Sequence, residues 1–150
     1  MKKIIFIIST VALTLTAYAQ DTKNLCCENI PAYDVPMDID EALSKKETTI
    51  SLDLAQQSPK LTKAPEALAQ LPNLQCLNLS YNRLATFPEN FKELQNLVCL
   101  DLSGNHYLQK LPDFFAEMPN LKIVKIKELN WTAAKKKEIE AKFPNIKFEW

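Results

Sequence analysis

The chain has 150 residues, and its 18 Lys+Arg balance 18 Asp+Glu. That length fits one domain, and zero net charge leaves no electrostatic footprint for nucleic acid and no polybasic block for anionic lipid. One glycine, Gly104, and one histidine, His106, exclude glycine-rich phosphate cradles and His-pair zinc sites, so no cofactor and no metal are expected.

Residues 1–19 read as a cleaved secretory signal. Lys2 and Lys3 form a positive start, Ile4–Leu15 is an apolar run broken only by Ser9, Thr10 and Thr14, and Ala17-Tyr18-Ala19 has the small-x-small spacing of a cleavage site. The run is too short to cross about 30 Å of hydrocarbon. Cys26 lies too far along, behind Asn24-Leu25, to be a lipoprotein site. The short, two-lysine form is bacterial. Export to the periplasm or the exterior follows as an expectation, with no membrane span after cleavage. The remaining 131 residues carry 16 Lys+Arg against 18 Asp+Glu, a net charge of −2.

Residues 20–49 are expected to be an N-terminal segment and helical cap. Cys26-Cys27 is a vicinal pair, poorly shaped to bond to itself, and one of the two can pair with another cysteine during export. Asp38 followed by Glu41 resembles a capping box with Asp in place of Ser/Thr. The spacing predicts a short helix to about Lys46 that buries Ile39, Ala42 and Leu43.

Residues 50–130 repeat themselves. Leu71-Pro72-Asn73-Leu74 recurs as Leu94-Gln95-Asn96-Leu97 and as Met118-Pro119-Asn120-Leu121, at spacings of 23 and 24. Leu77-Asn78-Leu79 matches Leu100-Asp101-Leu102 and Val124-Lys125-Ile126. Asn82 matches Asn105, and Phe87-Pro88 matches Leu111-Pro112. Leu52-Asp53-Leu54 and Ala64-Pro65 extend the pattern upstream as a degraded first unit. Leucines two apart point to one side of a short strand, and such a strand cannot bury them alone. Stacking one unit per ~4.8 Å makes a parallel sheet with a continuous core. The proline-marked segments then form extended or 3₁₀ return arms, each with one inward aromatic.

Leu74-Gln-Cys-Leu77-Asn-Leu79-Ser-Tyr-Asn82-Arg-Leu84 fits every fixed position of the leucine-rich repeat, and Leu97 to Asn105 fits through the Asn. The chain resembles that family over roughly Ile50–Lys127. The resemblance implies an α/β leucine-rich-repeat solenoid with a short parallel sheet on its concave face and small helical caps at both ends. Residues 131–150 supply the C-terminal cap: Thr132 starts a helix through about Lys142, Pro144 stops it, and Ile146-Lys147-Phe148 forms a final edge strand beside Trp150.

Asn82 and Asn105 are expected to form a structural ladder, since an amide both donates and accepts. In such a solenoid the strand residues between the core leucines line the concave face: Ser51, Asp53, Cys76, Asn78, Ser80, Cys99, Asp101, Ser103, Ile123, Lys125 and Lys127, with Tyr81 flanking. The resemblance implies that a protein partner binds there. The row runs from acidic Asp53 and Asp101 to basic Lys125 and Lys127, a gradient suited to orienting a partner. Cys76 and Cys99 hold the same position in neighbouring units, which leaves open two free concave thiols, a labile disulfide or a metal site; two Cys without His are too few for zinc. The leading expectation is a monomeric, non-catalytic protein-interaction module. The alternatives are a scaffold that packs by its C-terminal edge, through Phe148 and Trp150, and an enzyme that uses His106.

Overall fold

In the computed structural model, residues 35–150 are described. The signal expected over 1–19 and the Cys26-Cys27 pair lie outside them. Five strands of three residues each, β1 (Ser51–Asp53), β2 (Cys76–Asn78), β3 (Cys99–Asp101), β4 (Ile123–Lys125) and β5 (Lys147–Glu149), form one parallel sheet in chain order. Register pairs Leu52, Leu77, Leu100, Val124 and Phe148 across it, and all five are buried. A row of apolar side chains at every strand step is the core that the repeat spacing implies.

The return arms are 3₁₀ helices at Glu66–Gln70, Glu89–Glu93 and Asp113–Glu117. Each starts after a proline at its N-cap, Pro65, Pro88 or Pro112, in extended backbone. Proline has no N–H, so it lets an extended chain enter a helical turn without an orphaned donor. Leu68 is buried from the first arm, Phe91 from the second and both Phe114 and Phe115 from the third, so the expected single aromatic per arm holds only at the second. Phe91 and Phe115 stack with centroids 6.1 Å apart, and Phe87 meets both edge-on at 5.1 and 5.5 Å. This aromatic layer fills the side of the solenoid opposite the sheet.

Two asparagine ladders tie the units together. Asn105 Oδ1 accepts from Leu84 N–H (3.0 Å), while its Nδ2 donates to the carbonyls of Leu79 (3.0 Å) and Leu102 (2.9 Å). Asn82 does the same one unit earlier with Leu61, Leu54 and Leu79. The second ladder is one that the sequence reading noted only as a repeat. Asn73, Asn96 and Asn120 each donate 2.8 Å to a carbonyl of the preceding unit, on Glu47, Pro72 and Gln95.

Both ends are closed. At the first, α1 (Ile39–Ser44) is capped by Asp38, whose Oδ1 accepts from Glu41 N–H at 2.7 Å. The helix stops two residues short of the predicted Lys46, and only Ala42 is fully buried; Ile39 and Leu43 pack on the core part-exposed. Asp53 N–H donates to Pro36 carbonyl at 2.9 Å, which covers the open side of β1. At the other end α2 (Ala133–Lys142) is capped by Thr132 and buries Ile139, with Phe143 following it. The edge expected at Phe148 and Trp150 is the outer strand β5, and Trp150 beside it is half-buried. Phe148 is buried, and Trp150 donates to Glu140 at 2.8 Å with Lys136 4.9 Å above its ring. Among the described residues no helix is long and apolar enough to cross a membrane.

Candidate functional site

The concave face is built from the outward strand positions, and register sorts them into rows. Ser51, Cys76, Cys99, Ile123 and Lys147 make one row; Asp53, Asn78, Asp101, Lys125 and Glu149 make the next. The rows differ in exposure. In the first, Ser51, Cys76, Cys99 and Ile123 are 4, 2, 0 and 9 % exposed. Cys76, Cys99 and Ile123 form an apolar cluster separate from the leucine core. Strand alternation predicts solvated side chains at these positions, so this burial corrects their reading as open contact residues. In the second row Asp53, Asn78, Asp101 and Lys125 are half-buried. Ser80 and Ser103, where the strands turn away, are buried, while Tyr81 and Lys127 are exposed.

Three of the second-row residues also hold the backbone. Asp53, Asn78 and Asp101 each accept through Oδ1 from the N–H two residues on, at Ala55 (2.9 Å), Ser80 (3.0 Å) and Ser103 (2.9 Å). Short polar side chains close such turns because their oxygen reaches the next free donor. The acid-to-base gradient also breaks down at its basic end. β5 places Glu149 beside Lys125, and Glu128 follows Lys127.

The two concave cysteines are not joined to each other, which corrects the labile Cys76–Cys99 bridge. Cys99 is disulfide-bonded and Cys76 is not its partner. Neighbours in register on parallel strands send their Cβ atoms the same way, not toward each other. The reading of two free thiols is corrected at Cys99 as well. Cys76, Cys99 and Lys125 all have interaction partners. Among the described residues no group of three or more His, Cys, Asp or Glu could hold a metal ion.

Past each of the first four strands the chain turns out through a left-handed residue: Gln56 (φ 53°), Tyr81 (54°), Gly104 (69°) and Glu128 (59°). Glycine takes this conformation freely, and other residues do so at a cost of roughly 1–2 kcal/mol. Tyr81 lies over Gly104 and donates its hydroxyl proton to Glu128 Oε1 at 2.9 Å, so one side chain bridges three units. The Glu128 carboxylate accepts that proton and repels a phenolate, which raises the Tyr81 pKa above its usual value.

Beside this turn the rim forms an open depression whose lining includes Lys60, Tyr81, Arg83, Gly104, His106 and Tyr107. The chain's single arginine, glycine and histidine meet here, with Tyr107 60 % exposed. Composition singled out His106 but had no means of placing it beside Arg83 and Lys60. His106 is exposed on this rim, whereas Cys99 is buried in a disulfide and offers it no thiolate nucleophile.

The parallel register, the asparagine ladder and the proline-started return arms agree with the comparisons to known proteins. Two leucine-rich repeat family models match, one over residues 51–106 and one over residues 96–118. The chain is a leucine-rich repeat protein. A solved leucine-rich repeat protein of Leptospira interrogans is similar, with a TM-score of 0.57 and 28% identity over 66% of this chain and 24% of that one. The chain therefore spans about a quarter of the length of that relative. No curated protein matches it. Leucine-rich repeat domains generally mediate protein–protein interaction and are typically non-enzymatic.

Proposed function

We propose that this leucine-rich repeat protein is an exported, non-catalytic binding module whose partner protein docks on the second concave row and the adjoining rim. One observation carries the reading. The half-exposed row Asp53, Asn78, Asp101 and Lys125 runs into exposed Tyr81, Tyr107 and Lys127, giving a continuous polar and aromatic surface. Tyrosine and arginine at the rim are the residue types that anchor protein interfaces. Five strands at ~4.8 Å make a face only ~20–25 Å wide, so affinity is modest. The Cys99 disulfide supports export, because thiols inside most cells are kept reduced.

Affinity capture from the envelope and culture medium of the producing bacterium tests the site. A Lys127→Glu, Arg83→Ala, Tyr107→Ala triple variant removes exposed groups without touching the turns. It should lose the partner that the wild type retains, and undiminished capture would sink the reading. N-terminal sequencing tests export: the mature chain should begin at Gln20, and a cytosolic chain that keeps Met1 would overturn it.

A further inference from the structure

Three basic residues share the period of the repeat. Lys60, Arg83 and His106 fall 23 residues apart, at the same step of three consecutive units. Stacking therefore sets them in one column along the rim, one per unit at ~4.8 Å per step. The backbone holds that register: Arg83 N–H donates to the Leu61 carbonyl at 2.9 Å, and Leu84 N–H donates to Asn105 Oδ1 at 3.0 Å. All three side chains are exposed in the rim depression, whose lining contains no carboxylate. Elsewhere lysines are met by acids, as Lys63 is by Glu66 at 2.6 Å and Lys92 by Glu89 at 2.8 Å. Among the described residues no carboxylate pairs with Lys60, Arg83 or His106.

The column also sits where the repeat breaks its period. The extra residue of the longer unit is placed at Tyr107, in a turn closed by Leu108 N–H donating to the Asn105 carbonyl at 3.0 Å. An insertion in a solenoid loops out on one face, and this one stands Tyr107 beside the cations, 60 % exposed. Tyr81 is a second wall. Its ring lies on Gly104 and its hydroxyl is bonded to Glu128 at 2.9 Å, so it is fixed before a ligand arrives. The same bond occupies the Glu128 carboxylate.

We propose that this column binds an acidic segment of the partner protein, an extended stretch with Asp or Glu at alternate positions. The inference rests on the binding reading and names the chemistry recognised at the rim. Alternate residues of an extended chain put carboxylates ~7 Å apart on one face, so cations spread over ~10 Å meet two of them at once. Arg83, in the middle, offers a planar fork to one carboxylate, Lys60 a compact charge and His106 a ring N–H. The two tyrosines add ring surface with polar tips on either side of the charges. The depression, about 530 Å³, has the size of a site for a short segment.

NMR titration of the isotope-labelled protein at low salt tests it, with a capped hexapeptide of alternating aspartate and serine as the probe. Shifts should map to Lys60, Arg83 and His106, fade as salt is raised, and be absent with asparagine in place of aspartate. A Lys60→Gln, Arg83→Gln variant should bind roughly tenfold more weakly or worse, as loss of a charge-assisted hydrogen bond requires. Both side chains are exposed, so its melting transition should match the wild type. Lys137→Gln, on α2, should leave binding unchanged. Shifts centred on Lys135, Lys136 and Lys137, equal shifts with the asparagine peptide, or tighter binding of a sulfated heparin tetrasaccharide at the column overturn the proposal. Partner capture undiminished by the double change sinks this inference alone. Peptide binding at the column with no captured partner sinks the binding reading alone.

Discussion

Tyr81 and Gly104 are in such close contact that a β-carbon on residue 104 would sit 2.5 Å from Tyr81 Cδ1. The bare backbone of one unit is thereby the floor for the aromatic ring of the unit before it. Gly104 is also left-handed, at φ 69°. Gly104→Ala should therefore destabilise by roughly 2–3 kcal/mol, through an unfavourable backbone and a displaced ring. Urea denaturation measures it. In a Tyr81→Ala background the same change should cost about 1 kcal/mol less, because the clash is gone. An equal cost in both backgrounds would show that the ring contact plays no part.

The hydroxyl end of Tyr81 sets a pH dependence. The bond to Glu128 favours the neutral phenol, so the folded-state pKa lies above the unfolded value near 10. The contribution of this bond is thus fully present below pH ~10 and is lost as pH rises through the higher folded pKa. Ultraviolet titration, taken as wild type minus Tyr81→Phe, should show a phenol ionising late. Glu128→Gln should bring it back toward the ordinary value.

The reverse sign holds at the C-terminal cap. Lys142 Nζ lies 2.5 Å from Asp113 Oδ1, joining α2 to the last 3₁₀ arm, and it lowers the Asp113 pKa. That contribution is present above the unfolded pKa near 3.9 and is lost as pH falls through the depressed folded value. Carboxyl NMR should find Asp113 titrating below the usual range, and Lys142→Met should raise it.

The buried ladder should matter far more than the exposed one. Asn105→Ala leaves the Leu84 N–H and two carbonyls without the side-chain partners they have in a fully buried site, a loss of about 3 kcal/mol. Asn120→Ala removes one bond at an exposed position and should cost less than about 1 kcal/mol. Comparable denaturation midpoints for the two variants would contradict this ranking.

Asp101 separates folding from recognition. Asp101→Ala removes the acceptor for Ser103 N–H and should cost about 1 kcal/mol, while Asp101→Asn keeps the turn and should fold like wild type. Partner capture by the Asn variant then reports on the charge alone. If both variants melt alike, the turn bond contributes nothing.

Much of the architecture was legible because the repeat is local. Leu77 with Leu79, Asn82, and Pro88 each announce their conformation from spacing and side-chain chemistry alone, and recurrence at 23 to 24 residues stacks the units in one way. The caps were legible for the same reason, since Asp38 and Thr132 act on donors three residues away. The left-handed column was only half visible. Gly104 marks it, but Gln56, Tyr81 and Glu128 adopt the same turn without any residue preference to announce it.

The sequence by itself determined the solenoid, its strand register and the identity of the inward leucines, because each depends on periodicity within a unit. Only the tertiary structure decided which outward residues reach solvent. Alternation assigns Cys99 and Lys127 to the same face and treats them alike, yet one is fully buried and the other exposed. The difference arises from neighbours that are distant along the chain. Short-range pattern carries no information about such a neighbour. The meeting of Arg83, His106 and Tyr107 on one rim has the same origin, since it comes from stacking successive units.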